Sequence, residues 1–347
     1  MSVIDHRRRL YPAAAWPIVV ALALVLAACQ PLGEGEGEGD GEPASAGASA
    51  AASGDTDGGT GRLSIATGGT GGVYFPLGGG LADLISENIE GYTATAEETN
   101  ASVDNMNLIG SGDSDIAFVL GDTASDAVAG AGEFEGGAID ACAIGILYTN
   151  FTQLVASADS GITSVADLEG KRVSMGEAGS GTEIIGIRVM EAAGLDPEAD
   201  IERAQLGVAE TVDALRDGTL DAGFWSGGLP TGALVDYAST GDMVLVPTGE
   251  FAADLQDEFG EYYLESEIPA DTYEGQADPV AVVGVPNVLV VNTSMDEGLQ
   301  EQLTALLFEH KEDMVAVHPA AEELDQETAG EIAFMDVCPG AQTFYGS

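Results

Sequence analysis

Short apolar runs and helical apolar stripes alternate along most of this chain. Residues 63–66, 144–156, 243–247 and 280–291 are continuous enough in apolar character to read as buried strands. Between them, Leu77, Leu81, Leu84, Ile85 and Ile89 recur at helical spacing, and Ile184, Ile187, Val189, Met190 and Ala193 do so again before Gly194 closes the segment. Residues 299–317 carry a third stripe, expected to pack on the strand before it. Gly78, Gly79 and Gly80 interrupt the first helix at up to ~1 kcal/mol each, which predicts close backbone packing there. Strand and helix in alternation predict an α/β fold.

The junction of the first strand with the first helix is the densest local signal. Gly68-Gly69-Thr70-Gly71-Gly72 leads directly into Val73 and Tyr74. Such a turn aims backbone N–H groups and a helix N-terminus at one point, an anion-binding cup with no basic side chain. A second cup, Gly176-Glu177-Ala178-Gly179-Ser180-Gly181-Thr182, follows the strand at residues 172–175. Two cups predict two lobes facing one ligand.

Each cup is followed by a matched phrase. Gly112-Asp113-Ser114-Asp115-Ile116-Ala117-Phe118 and Gly218-Thr219-Leu220-Asp221-Ala222-Gly223-Phe224 share a glycine, an aspartate three residues on, and then a buried strand. Glycine suits a left-handed helix end and aspartate suits the turn. The repeat predicts one α/β plan used twice. Crossovers between lobes are expected at residues 144–156 and 243–247, with 280–291 returning to the first lobe. This gives lobe I as residues 62–150 plus 249–347, and lobe II as 151–248.

The N-terminal region reads as an address. Arg7, Arg8 and Arg9 precede an apolar stretch at residues 12–24, and Leu26-Ala27-Ala28-Cys29 ends it. That ending resembles the lipobox of bacterial lipoproteins, which implies a signal peptide over residues 1–28, a lipid on Cys29, and a mature protein anchored outside the cytoplasmic membrane. Residues 29–61 alternate glycine with acids and then run through alanine, serine and glycine. They have too little apolar surface to offset chain entropy and predict a disordered tether.

Charge narrows the partners. Ten Lys+Arg stand against 59 Asp+Glu, a formal charge of −49 over 347 residues. Nucleic acid and anionic membrane surfaces both need clustered basic residues and are disfavoured as partners. Cys142 and Cys338 remain once Cys29 is assigned to lipid, and outside the cytosol such a pair predicts a disulfide, with two separate buried thiols as the alternative. Three histidines and no Cys/His cluster give a zinc site no support, so neither metal nor cofactor is expected.

Residues 68–79 and 176–182, with Phe224-Trp225-Ser226-Gly227-Gly228-Leu229-Pro230-Thr231 and Pro339-Gly340-Ala341, resemble the TAXI family of solute-binding proteins from TRAP-type transporters. The resemblance covers about residues 63–345. It implies a two-lobed periplasmic-binding-protein fold of type II, with two α/β lobes joined by a strand hinge. It also implies a monomer that closes on a small carboxylate, such as glutamate, glutamine or a related dicarboxylate, and hands it to a TRAP-type membrane permease. The chain departs from the pattern at Thr99-Asn100-Ala101-Ser102, where the family often has Gly-Gly-Ser, at Leu120, where it often has Gln, and at Trp225, where Phe is more usual.

The expected ligand contacts are Gly69, Thr70, Gly71, Gly72, Tyr74, Ser102, Asp122, Ser180, Gly181, Thr182, Trp225 and Gly228. Several admit a purely structural role. Ser180, Thr182 and Ser102 suit helix caps, Tyr74 suits core packing, and Trp225 suits the hinge core. Arg172 and Arg188 are not expected to clamp the ligand. An enzyme is disfavoured. Tyr74 stands where a dinucleotide fingerprint needs glycine, no P-loop occurs, and no Ser/His/Asp set is legible. The alternative function is a lipid-anchored sensor subunit signalling to a membrane kinase.

Overall fold

The computed structural model describes residues 60–346 apart from 241 and 242. The signal peptide, the lipid on Cys29 and nearly all of the tether lie outside the described residues. Ten strands form one sheet: β1 (Gly61–Ala66), β2 (Tyr92–Glu97), β3 (Ile116–Leu120), β4 (Ala141–Ser157), β5 (Arg172–Ser174), β6 (Glu202–Ala204), β7 (Ala222–Gly227), β8 (Met243–Val246), β9 (Leu264–Ile268) and β10 (Val280–Asn292). The helices of the first lobe are α1 (Tyr74–Asn88), α2 (Ser102–Ser111) and α3 (Gly121–Ala129). Those of the second are α4 (Gly181–Ala192), α5 (Val208–Arg216), α6 (Gly232–Ala238) and α7 (Ala252–Phe259). The chain then returns to the first lobe with α8 (Glu297–Glu309), α9 (Lys311–Val317) and α10 (Pro339–Tyr345).

Strand order is β2-β1-β3-β10-β4-β7-β5-β6. Three parallel strands stand at each end, β2-β1-β3 and β7-β5-β6, with β1 and β5 central to their trios. The antiparallel pair β4 and β10 lies between and runs through both lobes, so these two strands are the hinge. Their apolar runs are long because both faces are covered. On β10, Leu289 and Val291 enter one core of lobe I while Val288 and Val290 enter the other. Farther back, Val283 and Val282 divide the same way between the two cores of lobe II.

The matched phrases do the same work twice. Gly112 and Gly218 end their helices at positive φ, 76° and 65°. Asp115 Oδ2 then accepts the Ser64 N–H at 2.8 Å, and Asp221 Oδ2 accepts the Arg172 N–H at 2.9 Å. Each aspartate thus ties the start of its own strand to the strand that carries the cup. The three glycines of α1 divide: Gly78 faces Thr67, Gly80 faces Val317, and Gly79 faces open space. Cys142 and Cys338 form a disulfide that pins the C-terminal segment to β4.

Two boundaries move. Residues 243–247 are not a crossover, because β8 pairs with Leu154, Val155, Ala156 and Ser157 of β4 inside lobe II. Residues 249–285, read above as lobe I, pack in lobe II: Leu255, Tyr263, Val283 and Val285 share a core with Leu154, Val173 and Ile185. The return to lobe I happens within β10, at the bend of the hinge.

Candidate functional site

Both cups sit at the C-terminal ends of the central strands of their trios, where the strand order switches direction and open α/β sheets leave a crevice. The two crevices face each other and enclose one cavity. Its walls come from Gly68, Gly69, Gly72, Val73 and Tyr74 of the first cup, Ala101, Ser102 and Leu120 beside it, and Glu177, Ser180, Gly181, Thr182, Trp225, Ser226 and Gly227 of lobe II. The cavity is narrow, about 20 Å³. Only a small solute fits.

The lobes touch around this cavity. Asp104 N–H donates to the Gly179 carbonyl at 3.2 Å and Ala233 N–H to the Gly71 carbonyl at 3.4 Å. A Cβ added to Gly72 would lie 2.8 Å from Trp225 Cη2, and one added to Gly181 would lie 2.9 Å from Ser102 Oγ. At these two positions glycine is needed for the lobes to approach.

Three helix N-termini point into the space: α1 behind Val73, α2 behind Ala101, and α4 behind Ser180. Among the described residues no acceptor takes the N–H of Gly69, Ser102, Gly181 or Thr182. The hydroxyls add to this set. Tyr74 Oη accepts from Asn287 Nδ2 at 2.8 Å and Asn150 Nδ2 at 3.2 Å, so its lone pairs are engaged and its proton is left to give. Thr182 Oγ1 accepts from Ser226 N–H at 3.1 Å, and Ser180 Oγ accepts from Glu183 N–H at 3.1 Å. Ser102 Oγ accepts from Leu120 N–H at 3.1 Å and is hydrogen-bonded to Tyr74, so these two hydroxyls leave one proton between them for the cavity. Ser226 Oγ is buried with no partner. Burial pushes the Tyr74 phenol well above its ordinary pKa, against hydrogen bonds from Ser102, Asn150 and Asn287, so it is a neutral donor. The cavity therefore presents converging N–H and O–H donors without any basic side chain.

Of the residues expected from sequence, Gly69, Gly72, Tyr74, Ser102, Ser180, Gly181, Thr182 and Trp225 line the cavity together. Thr70 is exposed at the rim, and Gly71 packs on Val208 and Ala209 across the cleft. Gly228 packs under Tyr148 and Ala320. Asp122 is 0% exposed and bonded to Tyr263 Oη at 2.8 Å, with the Arg188 guanidinium at 3.6 Å. Burial pushes its pKa up while Arg188 opposes that shift. Ser180 is the helix cap and Ser102 is not, since α2 is entered through Ala101 at φ 71°. Arg188 pairs with Asp126 at 2.6 Å across the lobes, and Arg172 with Asp221 at 2.6 Å within lobe II.

Glu177 is the wall residue that sequence reasoning passed over. The signal was available: an acid inside a glycine turn facing an anion cup. Burial raises the pKa of its half-buried carboxyl, and the nearby Glu210 and Glu98 raise it further.

A family model described as the NMT1-like family matches residues 65–346. Among solved structures, the binding protein component of an ABC phosphonate transporter from Pseudomonas aeruginosa superposes with a TM-score of 0.50 at 12% identity, over 76% of this chain and 79% of that one. The periplasmic aliphatic sulphonate binding protein SsuA from Escherichia coli gives a TM-score of 0.43 at 17% identity, with the same shares covered. At such identities the likeness concerns the fold, which is that of the two-lobed periplasmic binding proteins. Among the described residues no helix is long and apolar enough to cross a membrane.

Proposed function

This chain belongs to the NMT1-like family, and on that premise we propose that it is the extracytoplasmic solute-binding receptor of a membrane transporter. Its ligand is a small carboxylate, of the size of glutamate, glutamine or a related dicarboxylate. The lobes close on it by bending at β4 and β10, and closure excludes water so that each neutral hydrogen bond counts for more. One observation carries this reading: three helix N-termini and the hydroxyls of the Tyr74–Ser102 pair, Ser180 and Thr182 meet in one cavity that both lobes wall. Only an acceptor-rich guest satisfies such a set.

The membrane partner in this proposal is a TRAP-type permease, as the TAXI-like motifs suggest, and the chain is tethered to the cell membrane by lipid on Cys29. It is a receptor and not an enzyme. The test is calorimetry of the purified protein against amino acids, dicarboxylates, 2-oxo acids and small uncharged solutes of equal size. Binding of at least one carboxylate and of no uncharged analogue is expected. Saturable binding of an uncharged or purely cationic solute alone would refute the proposal. Labelling with radioactive fatty acid, lost in Cys29→Ala, checks the anchor separately.

A further inference from the structure

Every polar group on the cavity wall is suited to an anion except one. Glu177 stands in the turn between β5 and α4, with its Oε1 packed on Gly207 at the N-terminus of α5 and 3.2 Å from where a Cβ on Gly69 of the opposite lobe would be. The other partly buried carboxylates among the described residues are matched, Asp104, Asp115 and Asp200 by the N–H groups of Asn100, Ser64 and Asp196 and the rest by cations. Asp122 and Asp126 share Arg188, Asp221 holds Arg172, and Glu183 takes Arg203 and Gln205. Among the described residues no ion pair or hydrogen bond reaches the Glu177 side chain. The charged groups around it, Glu210 and Glu98, are of its own sign. No group of acids among the described residues is placed to hold a metal ion. The N-terminus of α5 offsets part of the cost of a half-buried carboxylate but supplies no full counter-charge, and lobe closure is what brings Gly69 against it.

We propose that Glu177 is a specificity-determining residue which pairs with a cationic group on the ligand, so that the solute held is a zwitterion. Its acid group meets the helix N-termini and hydroxyls, and its ammonium meets Glu177. This rests on the carboxylate-site reading above and adds to it the other end of the guest. Glu177 and the donors line one cavity, so a single compact molecule such as an amino acid can meet both with its two poles. A 2-oxo acid or an unsubstituted acid of the same skeleton would fill the same space and leave Glu177 unpaired.

The experiment compares matched triplets by calorimetry at neutral pH: L-glutamate, 2-oxoglutarate and glutarate, then L-alanine, pyruvate and propionate. Wild-type protein is expected to bind at least one amino acid about ten- to a hundredfold more tightly than its two analogues, the usual worth of a hydrogen bond to a charged group. Glu177→Gln, checked for an unchanged melting temperature, is expected to remove that preference and leave the affinity for the analogues within about threefold. Equal or tighter binding of the 2-oxo or unsubstituted acids by wild type overturns the inference while sparing the carboxylate site. A preference that survives Glu177→Gln overturns the assignment to this residue. Failure of every acid to bind overturns the carboxylate site itself, and this inference with it. The wild-type comparison stands even where the variant does not fold.

Discussion

Gly72→Ala isolates lobe closure from folding. Gly72 belongs to the first cup and Trp225 to β7 of the second lobe, so their contact exists only when the lobes meet. An added methyl would stand 2.8 Å from Cη2 and 2.9 Å from Cζ2 of the indole, where ordinary carbon contacts begin at 3.4 Å. The ring cannot simply swing aside: its Nε1–H donates to Thr231 Oγ1 at 3.0 Å, and Thr231 is buried and bonded to Gln153 of the hinge strand β4. Within lobe I the nearest atom to the methyl is the Gly69 carbonyl oxygen at 3.5 Å, and Gly72 is not among the positive-φ glycines. Overpacking of one methyl costs about 1–3 kcal/mol, charged here to the closed form alone. That predicts affinity for the best ligand lowered ~5- to ~150-fold, with ligand-free melting unchanged within about a degree. Calorimetry and thermal unfolding of the same preparation measure both. Affinity kept within twofold, or lost together with an equal loss of ligand-free stability, would refute the reasoning. The double variant Gly72→Ala/Trp225→Phe should recover part of the loss relative to Trp225→Phe alone.

Ala101→Gly should stabilise the protein, because Ala101 holds φ 71° and ψ −144° at the entry to α2, a region that costs a non-glycine residue about 1–3 kcal/mol, against ~0.5–1 for the added chain entropy. A melting temperature raised by a few degrees is expected, and a fall would show the turn is unstrained. Reducing the Cys142–Cys338 bridge, which spans 196 residues, should lower the urea-unfolding free energy by up to ~5 kcal/mol on the chain-entropy account. His318 accepts the Ala320 N–H on Nδ1 at 3.1 Å and donates from Nε2 to the Pro230 carbonyl of the other lobe at 3.1 Å, so it is neutral, and burial holds its pKa below 6.5. Its contribution is present above pH 6.5 and is lost as pH falls through the lowered folded value, so acid should weaken wild type more than His318→Gln, read by unfolding at pH 7.5 and 5. Raising KCl from 50 to 500 mM, about a threefold shorter screening length, should leave the affinity for a net-negative solute unchanged or raised, and a steep fall would refute recognition by neutral donors.

What was legible in the sequence is what short-range chemistry fixes. The cups could be read because a glycine turn between strand and helix has one conformational purpose. The paired aspartates could be read because the same turn recurs at Asp115 and Asp221. Tertiary placement was less accessible. β4 is a single strand of 17 residues whose two ends serve different lobes, and nothing local marks the point where its partners change from β10 to β7. β8 looked like a crossover because an apolar run of four residues reads alike in any sheet position. Asp122 looked like a site residue from its place at a helix start. Its side chain turns away to Tyr263 and Arg188, two residues distant in sequence.

The formal charge of −49 and an anion-binding reading are compatible because the two act over different lengths. Beyond about 8 Å at physiological salt, exposed acids are largely screened from a solute in the cleft. Each helix N-terminus carries roughly half a positive charge and acts within a turn of its end, so three of them face the cavity against the single carboxylate of Glu177 on its wall, while the exposed acids beyond are screened. A lysine or arginine in that place would bring a full charge but also a long side chain to order and a strong pull from the surrounding acids. The arginines of lobe II show that pull, since Arg172, Arg188, Arg203 and Arg216 are all held by carboxylates. Backbone donors are captured less completely: Glu183 takes the N–H of Gly179 in the second cup, while those of Gly181 and Thr182 stay open to the cavity. In a chain so acidic, donors fixed by the fold are the ones that stay free for a guest.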